Sequence, residues 1–283
     1  MKKIEKKAAV LGFPIKHSLS PVIHNYWIKK YKIPGKYDLF KTNKNQLKKT
    51  IYKLQQENYL GANLTIPLKE KVISIIDKID RTADFTKSVN TIVFRKNSIE
   101  GKNTDVYGFK KSLDKKLKNK KKRALVLGAG GASRAVVYSL VDMGFEKVEI
   151  YNRTKSKATK LKKDMDKLPF KKNQQQIIVK DIKNIEMEIH LLDLFVNTTP
   201  LGMKGFKKKS ISLKQLDKKA IVFDLVYNPL ETDLLKSAKK NGNATINGLE
   251  MLIFQAQPAF KQWFNINPKI DKNLKFKLKK LLK

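Results

Sequence analysis

The chain reads as an α/β protein of two domains, and three observations predict it. Short apolar strands alternate with helical stretches through the first hundred residues. A polar run, Asn119–Arg123, then separates this region from a second strand–helix series. That second series opens on a buried strand that runs through a glycine cluster directly into a helix. At 283 residues and 41% hydrophobic content the chain supports one large or two modest cores.

Taken in order, Ala8–Gly12 predicts a buried strand and Phe13–Leu19 a loop. Ser20 as N-cap, with Pro21 at the first helical position, opens a helix to about Lys30. Lys36–Lys41 alternates as a strand, Lys44–Gln56 reads as a helix and Tyr59–Thr65 as a strand. Helical patterns follow at Lys69–Asp77 and Arg81–Thr86, then a hairpin of Thr91–Arg95 and Ser98–Gly101. Strands separated by helices imply a mainly parallel first sheet. A basic helix, Val106–Lys118, leads to the connecting run. Beyond it come strand Ala124–Leu127, helix Ala132–Val141, strand Lys147–Tyr151 and helix Lys155–Leu168. Strands at Ile177–Val179, Leu194–Asn197 and Ile221–Leu225 continue the sheet; an apolar helix, Gly248–Phe264, and an amphipathic one, Leu274–Lys283, close the series.

Composition narrows the function. With no Cys there is no disulfide, thiolate nucleophile or thiolate-held metal, and His17, His24 and His190 are not spaced as a metal site, so no metal is expected. No apolar run approaches the ~18–20 residues that span a bilayer, and Ala8–Phe13 is too short for a signal peptide, so a cytoplasmic protein without membrane association is expected. The formal charge of +37 suggests nucleic acid at first. Yet the excess is almost entirely Lys, spread along the whole chain, with Arg only at positions 81, 95, 123, 134 and 153 and no interleaved aromatic stacking pattern. Non-specific polyanion attraction follows from such a charge; a specific nucleic-acid partner does not. The Lys, Asn and Ile abundance matches the codon bias of an AT-rich genome.

The glycine cluster carries the first chemistry. Gly128, Ala129, Gly130, Gly131 and Ala132 join a strand to a helix, where small residues let backbone N–H groups and the helix N-terminus approach a pyrophosphate. Ser133 stands where the third glycine of G-x-G-x-x-G would be, so strand and helix context rather than the pattern carries the assignment. The alternative is a tight turn without a ligand. After the next strand, an NAD site would present Asp or Glu to the ribose 2′-hydroxyl. Here stand Asn152, Arg153, Thr154, Lys155, Ser156 and Lys157. Cations and hydroxyls hold a 2′-phosphate by charge-assisted hydrogen bonds, which favours NADP; alternatively Thr154 only caps the helix.

Four clusters lie outside this unit. Gly61–Glu70 holds Asn63, Thr65 and Lys69 in an otherwise apolar segment. A lysine beside buried polar groups can serve as an acid or base, although one among 62 Lys+Arg is by itself a solvated charge. Ser18 and Ser20 could address an anion or polyol, or Ser20 could merely cap; His24 reads as packing inside a helix. Asn90 and Asp105 lie in V-N-T and G-x-N-T-D segments, where Asp105 could cap the helix it opens or orient Lys69. Gln255 puts one amide into an apolar helix, which usually means a structural hydrogen bond.

Their order is more specific than any one of them. From Gly12 to about Trp263 the chain resembles the shikimate dehydrogenase family, on P-I-x-H-S-x-S-P, N-x-T-x-P-x-K-E, V-N-T, G-x-N-T-D-x-x-G-F, G-A-G-G-A, N-R-T and M-L-x-x-Q. The resemblance implies NADPH-dependent reduction of 3-dehydroshikimate to shikimate, in chorismate and aromatic amino-acid biosynthesis. It implies a substrate domain, 1–105 completed by 248–283, and a Rossmann-like NADP-binding domain, 106–247, with substrate in the cleft between them. Lys69 would be the catalytic proton-transfer residue, paired with Asp105. Ser18 and Ser20 would hold the substrate carboxylate; Thr65, Asn90, Asp105 and Gln255 its hydroxyls; Tyr227 would complete the pocket. The glycine loop and Asn152–Lys157 would carry the cofactor, with Leu225 and Gly248 near the nicotinamide. The chain departs from the family at Lys87-Ser88 (commonly Gly-Ala), Leu225 (often Met) and Lys157 (commonly Arg). Lysine lacks the planar fork of arginine, which loosens the expected 2′-phosphate clamp. Two other functions fit less well: a quinate/shikimate dehydrogenase using NAD, which should carry an acid near Asn152–Thr154, and a non-catalytic nucleotide-binding regulator, which should lack Lys69 or Asp105. The family contains monomers and homodimers, and no interface signature chooses between them.

Overall fold

The computed structural model describes residues 5–114, 116–117, 121–206 and 211–282. Part of the expected linker and the ends of the helices expected to reach Lys118 and Lys283 lie outside these residues. The chain divides into two compact units: 1–105 with 252–281, and 106–251 with the last two residues.

The first unit carries β1 (Lys6–Gly12), α1 (Ser20–Lys30), β2 (Gly35–Lys41), α2 (Leu47–Gln56), β3 (Tyr59–Leu64), β4 (Lys78–Ile79), α3 (Arg81–Thr86), β5 (Thr91–Arg95) and β6 (Ser98–Lys102). Its sheet has the order β2-β1-β3-β5-β6-β4. Helical crossovers α1 and α2 make β2, β1 and β3 parallel, whereas β5 runs antiparallel to both β3 and β6. The sheet is therefore mixed rather than mainly parallel: the short Lys96–Asn97 connection can only return the chain as a hairpin. The helix expected at Lys69–Asp77 is a 3-10 turn over Lys71–Ile75, and Ser20 is the first residue of α1 rather than its cap, which falls on Leu19. β1 is buried from Ala8 to Leu11, and Leu47, Ile51 and Leu54 of α2 pack with Leu64, Leu68 and Val72. Gly61 marks a close approach. Its φ is +153°, and a Cβ there would stand 2.1 Å from the Ile92 carbonyl oxygen and 2.4 Å from Trp263 Nε1.

The second unit contains most of α4 (Asp105–Leu113), then β7 (Arg123–Leu127), α5 (Gly131–Asp142), β8 (Lys147–Tyr151), α6 (Lys155–Met165), β9 (Gln176–Lys180), α7 (Ile185–Glu188), β10 (Leu194–Asn197), β11 (Ile221–Asp224), α8 (Asp233–Lys240) and β12 (Ala244–Asn247). All six strands are parallel, in the order β12-β11-β10-β7-β8-β9. The chain winds outward from β7 to β9, then returns to β10 on the other side, so β7 and β10 flank the point where a doubly wound sheet takes its ligand. The core strands are buried on both faces, as helical cover requires. α9 (Gly248–Phe264) starts in this unit and enters the first at Leu252, and α10 (Lys272–Leu281) ends there. β4, α7, α8 and β12 were not among the expected elements.

Candidate functional site

In the first unit, Lys69 lies just beyond the C-terminal end of β3. Thr65 N–H donates to Leu11 O (3.0 Å), Leu68 N–H closes a turn onto Thr65 O (2.8 Å), and Val89 N–H donates to Lys69 O (2.8 Å), so both ends of the segment are pinned. Ile66–Pro67 is a cis peptide bond within it. Lys69 Nζ stands 2.6 Å from Asp105 Oδ2, with the two side chains only 15% and 6% exposed. Asp105 is the first residue of α4, where the helix dipole favours a carboxylate. It does not cap that helix with its side chain. Its own N–H donates to Asn103 Oδ1 (3.0 Å), and its second oxygen accepts from Asn90 Nδ2 at 2.9 Å.

Asn90 is the hub. Its Oδ1 accepts Thr104 N–H (2.8 Å), which turns Nδ2 towards Asp105, Thr104 Oγ1 (2.9 Å) and Gln255 Oε1 (3.2 Å). Gln255 also donates from Nε2 to Leu252 O one turn back along α9 (2.8 Å). The structure thus brings together Lys69, Asp105, Asn90 and Gln255. Ser18 and Ser20 follow β1, the strand beside β3, and the Ser18 hydroxyl accepts Ser20 N–H at 3.3 Å. Phe13 N–H donates to Ile66 O (2.9 Å), which ties the β1 loop to the Lys69 segment. His24 is fully buried, stacked on Tyr37 at 4.2 Å, and burial lowers its pKa to about 3, so it is neutral packing. The sequence assigned no role to Thr104, Thr91 or Tyr37; Thr91 and Thr104 lie within the V-N-T and G-x-N-T-D motifs, whereas Tyr37 lies in none of the motifs.

In the second unit, β7 ends in the glycine loop. Gly128 has φ +119°, and a Cβ there would lie 2.4 Å from Thr198 Oγ1 at the end of β10. Ser133, in place of a third glycine, closes this switch point. It accepts Gly130 N–H (3.0 Å), and because the Thr198 hydroxyl donates to Leu127 O (2.7 Å), Ser133 in turn donates to Thr198 (2.6 Å). At Gly130 an added Cβ meets nothing within 4 Å, so the approach to the N-terminus of α5, with Gly131 and Ala132 in its first turn, is open. Arg134 points elsewhere, paired to Asp164 at 2.8 Å and almost wholly buried.

After β8, Arg153, Thr154, Lys155, Ser156 and Lys157 are all exposed, and Arg153, Lys155 and Lys157 form no ion pair among the described residues. Thr154 occupies the N-cap position of α6 without a side-chain capping bond, while Asn152 Nδ2 donates to Thr154 O (2.8 Å). No carboxylate stands in this loop. Open glycine, accessible helix end and exposed cations fit a dinucleotide carrying a 2′-phosphate. Farther along the sheet, Leu225 and half-buried Tyr227 leave β11 in a turn held by Asp224. That carboxylate accepts Asn197 Nδ2 (2.9 Å), Thr232 Oγ1 (2.6 Å) and Val226 N–H (3.0 Å), and burial pushes its pKa up to about 6. Gly248 N–H donates to Val226 O (3.0 Å), and a Cβ on Gly248 would sit 1.9 Å from Leu225 O, so only glycine fits against this turn.

Comparison with known proteins follows the same division. Residues 10–92 match the shikimate dehydrogenase substrate binding domain, and residues 110–246 match the shikimate / quinate 5-dehydrogenase model. The NADP(+) shikimate dehydrogenase of Pelagibacter ubique is 40% identical over 269 residues, covering 95% of this chain and 97% of that protein. A solved shikimate dehydrogenase in complex with NADP+ superposes with a TM-score of 0.86 at 33% identity, over 98% of this chain and 94% of the other. The Thermus thermophilus enzyme in complex with NADP(H) and shikimate gives 0.84 at 30% identity, over 98% and 100%. Among the described residues no helix is long and apolar enough to cross a membrane, and no cluster of His, Asp and Glu could hold a metal.

Proposed function

The chain belongs to the shikimate dehydrogenase family, and we propose that it reduces 3-dehydroshikimate reversibly to shikimate with NADPH, on the way to chorismate and the aromatic amino acids. The observation that carries the reading is the Lys69–Asp105 pair, a largely buried ammonium and carboxylate 2.6 Å apart. NADPH, when bound, supplies the hydride. Lys69 Nζ supplies the accompanying proton to the carbonyl oxygen and takes it back in the reverse direction. Asp105 fixes where the ammonium points, and Asn90, with its amide orientation set by Thr104 N–H, fixes Asp105. Asp105, Asn90, Thr65 and Gln255 also present polar atoms to the substrate hydroxyls, Ser18 and Ser20 to its carboxylate, and Tyr227 closes the set.

Residues 1–105 with 248–283 serve as the substrate domain and 106–247 as the cofactor domain. Gly128–Ala132 receive the pyrophosphate at the start of α5, Asn152–Lys157 hold the 2′-phosphate, and Leu225 and Gly248 flank the nicotinamide. The exposed, unpaired cations and the missing acid after β8 support NADP over NAD. We place the protein in the cytoplasm as a monomer or homodimer, with no nucleic-acid or membrane partner. Initial rates with NADPH and with NADH on 3-dehydroshikimate, and with shikimate and quinate in reverse, test the assignment. NADPH with 3-dehydroshikimate is the expected pair. A clear preference for NADH, or for quinate, would favour the quinate/shikimate enzyme, and no turnover would favour the regulator.

A further inference from the structure

Behind Asn90 a second set of buried polar groups runs across the first sheet, away from the reacting pair. Tyr37 on β2 donates its hydroxyl proton to Asn63 Oδ1 on β3 at 2.7 Å. Asn63 Nδ2 then has two acceptors for its two protons, Thr91 Oγ1 (3.0 Å) and Asn90 O (3.1 Å). Asn63 and Thr91 are register partners on antiparallel β3 and β5, so the contact is built into the sheet. Having accepted a proton, Thr91 has its own to give, and Asn90 Oδ1 lies 3.2 Å away. Every one of these side chains is buried, from 0% exposed at Thr91 to 5% at Asn63.

The direction of this chain is not arbitrary. The Asn90 backbone carbonyl can only accept, so Asn63 must turn its nitrogen towards it. The Asn63 oxygen then accepts from Tyr37 and its second N–H goes to Thr91 Oγ1, whose own proton points to Asn90 Oδ1 at 3.2 Å, nearer than Thr104 Oγ1 at 3.4 Å. Stability alone does not call for such a run: apolar residues of similar shape replace a mutually satisfied buried polar set at little or no cost. From Tyr37 to Lys69 each donor meets an acceptor, and the last acceptor is the carboxylate beside the reacting ammonium.

We infer that Tyr37, Asn63 and Thr91 are positioning residues for the reaction: their one-way hydrogen-bond relay holds the Asn90 amide, and through it the Lys69–Asp105 pair, in working orientation. The inference rests on the dehydrogenase reading above. The test is steady-state kinetics of the full chain across pH for Tyr37→Phe, Thr91→Val, Thr91→Ser and the double variant Tyr37→Phe/Thr91→Val. Tyr37→Phe keeps the ring on His24, so the fold is retained. We expect kcat to fall about fivefold in Tyr37→Phe and about tenfold in Thr91→Val, with the pH profile of kcat displaced in both. The double variant should be no worse than Thr91→Val, because one break already interrupts the relay. Thr91→Ser should recover most of the turnover and the original pH profile. An active wild type whose variants keep its kcat and pH profile, or whose losses multiply in the double variant, overturns the relay alone. A wild type without turnover overturns the reaction, and the relay with it.

Discussion

Each unit of this protein buries a carboxylate beside an asparagine amide, Asp105 next to Asn90 and Asp224 next to Asn197, both at 2.9 Å. Their remaining partners differ. Asp105 has the ammonium of Lys69, whereas Asp224 has the Thr232 hydroxyl and the Val226 N–H and no cation among the described residues. Hydrogen bonds alone do not repay the desolvation of Asp224, and its pKa rises to about 6. The contrast separates two uses of one residue type. A buried carboxylate with a cation fixes where that cation points, and one without pins a turn, here the turn that carries Leu225 and Tyr227.

Removing the cation makes the first site resemble the second. Lys69→Ala should lower kcat on the order of a thousandfold while leaving the Kd for shikimate within a few fold, read by turnover alongside calorimetric titration. An active Lys69→Ala enzyme would refute the proton-transfer role. The second site is probed by pH. Because the folded-state pKa of Asp224 is raised above its ordinary 3.8, the folded protein binds this proton more tightly than the unfolded chain. The stabilisation is therefore complete below about pH 4, is lost as pH rises towards about 6, and stays constant above. Urea unfolding of wild type against Asp224→Asn should show their difference falling by up to about 3 kcal/mol over that window.

Smaller effects come from the exposed loop. Arg153→Ala/Lys157→Ala should raise the KM for NADPH about tenfold, more at low salt than at high, and leave that for NADH nearly unchanged. Gly130→Ala should weaken NADPH binding several fold with the unfolding free energy of the free protein within about 1 kcal/mol of wild type, since its Cβ enters open space. A loss of stability equal to the loss of binding would show that the glycine serves the fold rather than the ligand.

The centre of the second unit was the more legible in sequence. β7, β10 and β11 are nearly continuous apolar runs and the phosphate loop is contiguous, so strand, turn and helix there could be read from neighbours along the chain, whereas α7, α8 and β12 could not. The first unit depends on pairings that sequence does not advertise. The hairpin of β5 and β6 was expected, but not that β5 lies antiparallel to β3, and the two residues of β4 add to β6 only through tertiary contact. Ser20 looked like a cap and lies inside α1 because the helix takes Leu19 as its boundary. Lys69, Asp105, Asn90 and Gln255 stood out through their motifs, but the groups behind them did not: Thr104 acts through its backbone N–H, and Tyr37 and Thr91 are given their partners only when β2, β1, β3 and β5 assemble in that order.

Trp263 Nε1 donates to Ile92 O at 3.0 Å, over the space that Gly61 leaves open. That bond joins β5 to a residue made 171 positions later. During synthesis, at about 5–20 residues per second, β3 and β5 wait on the order of ten seconds for α9 to arrive. The contiguous 106–251 unit has all its strands by then. The glycine loop is thus assembled first, and Asn90, which holds Asp105, receives its Gln255 contact only after the 106–251 unit has been made.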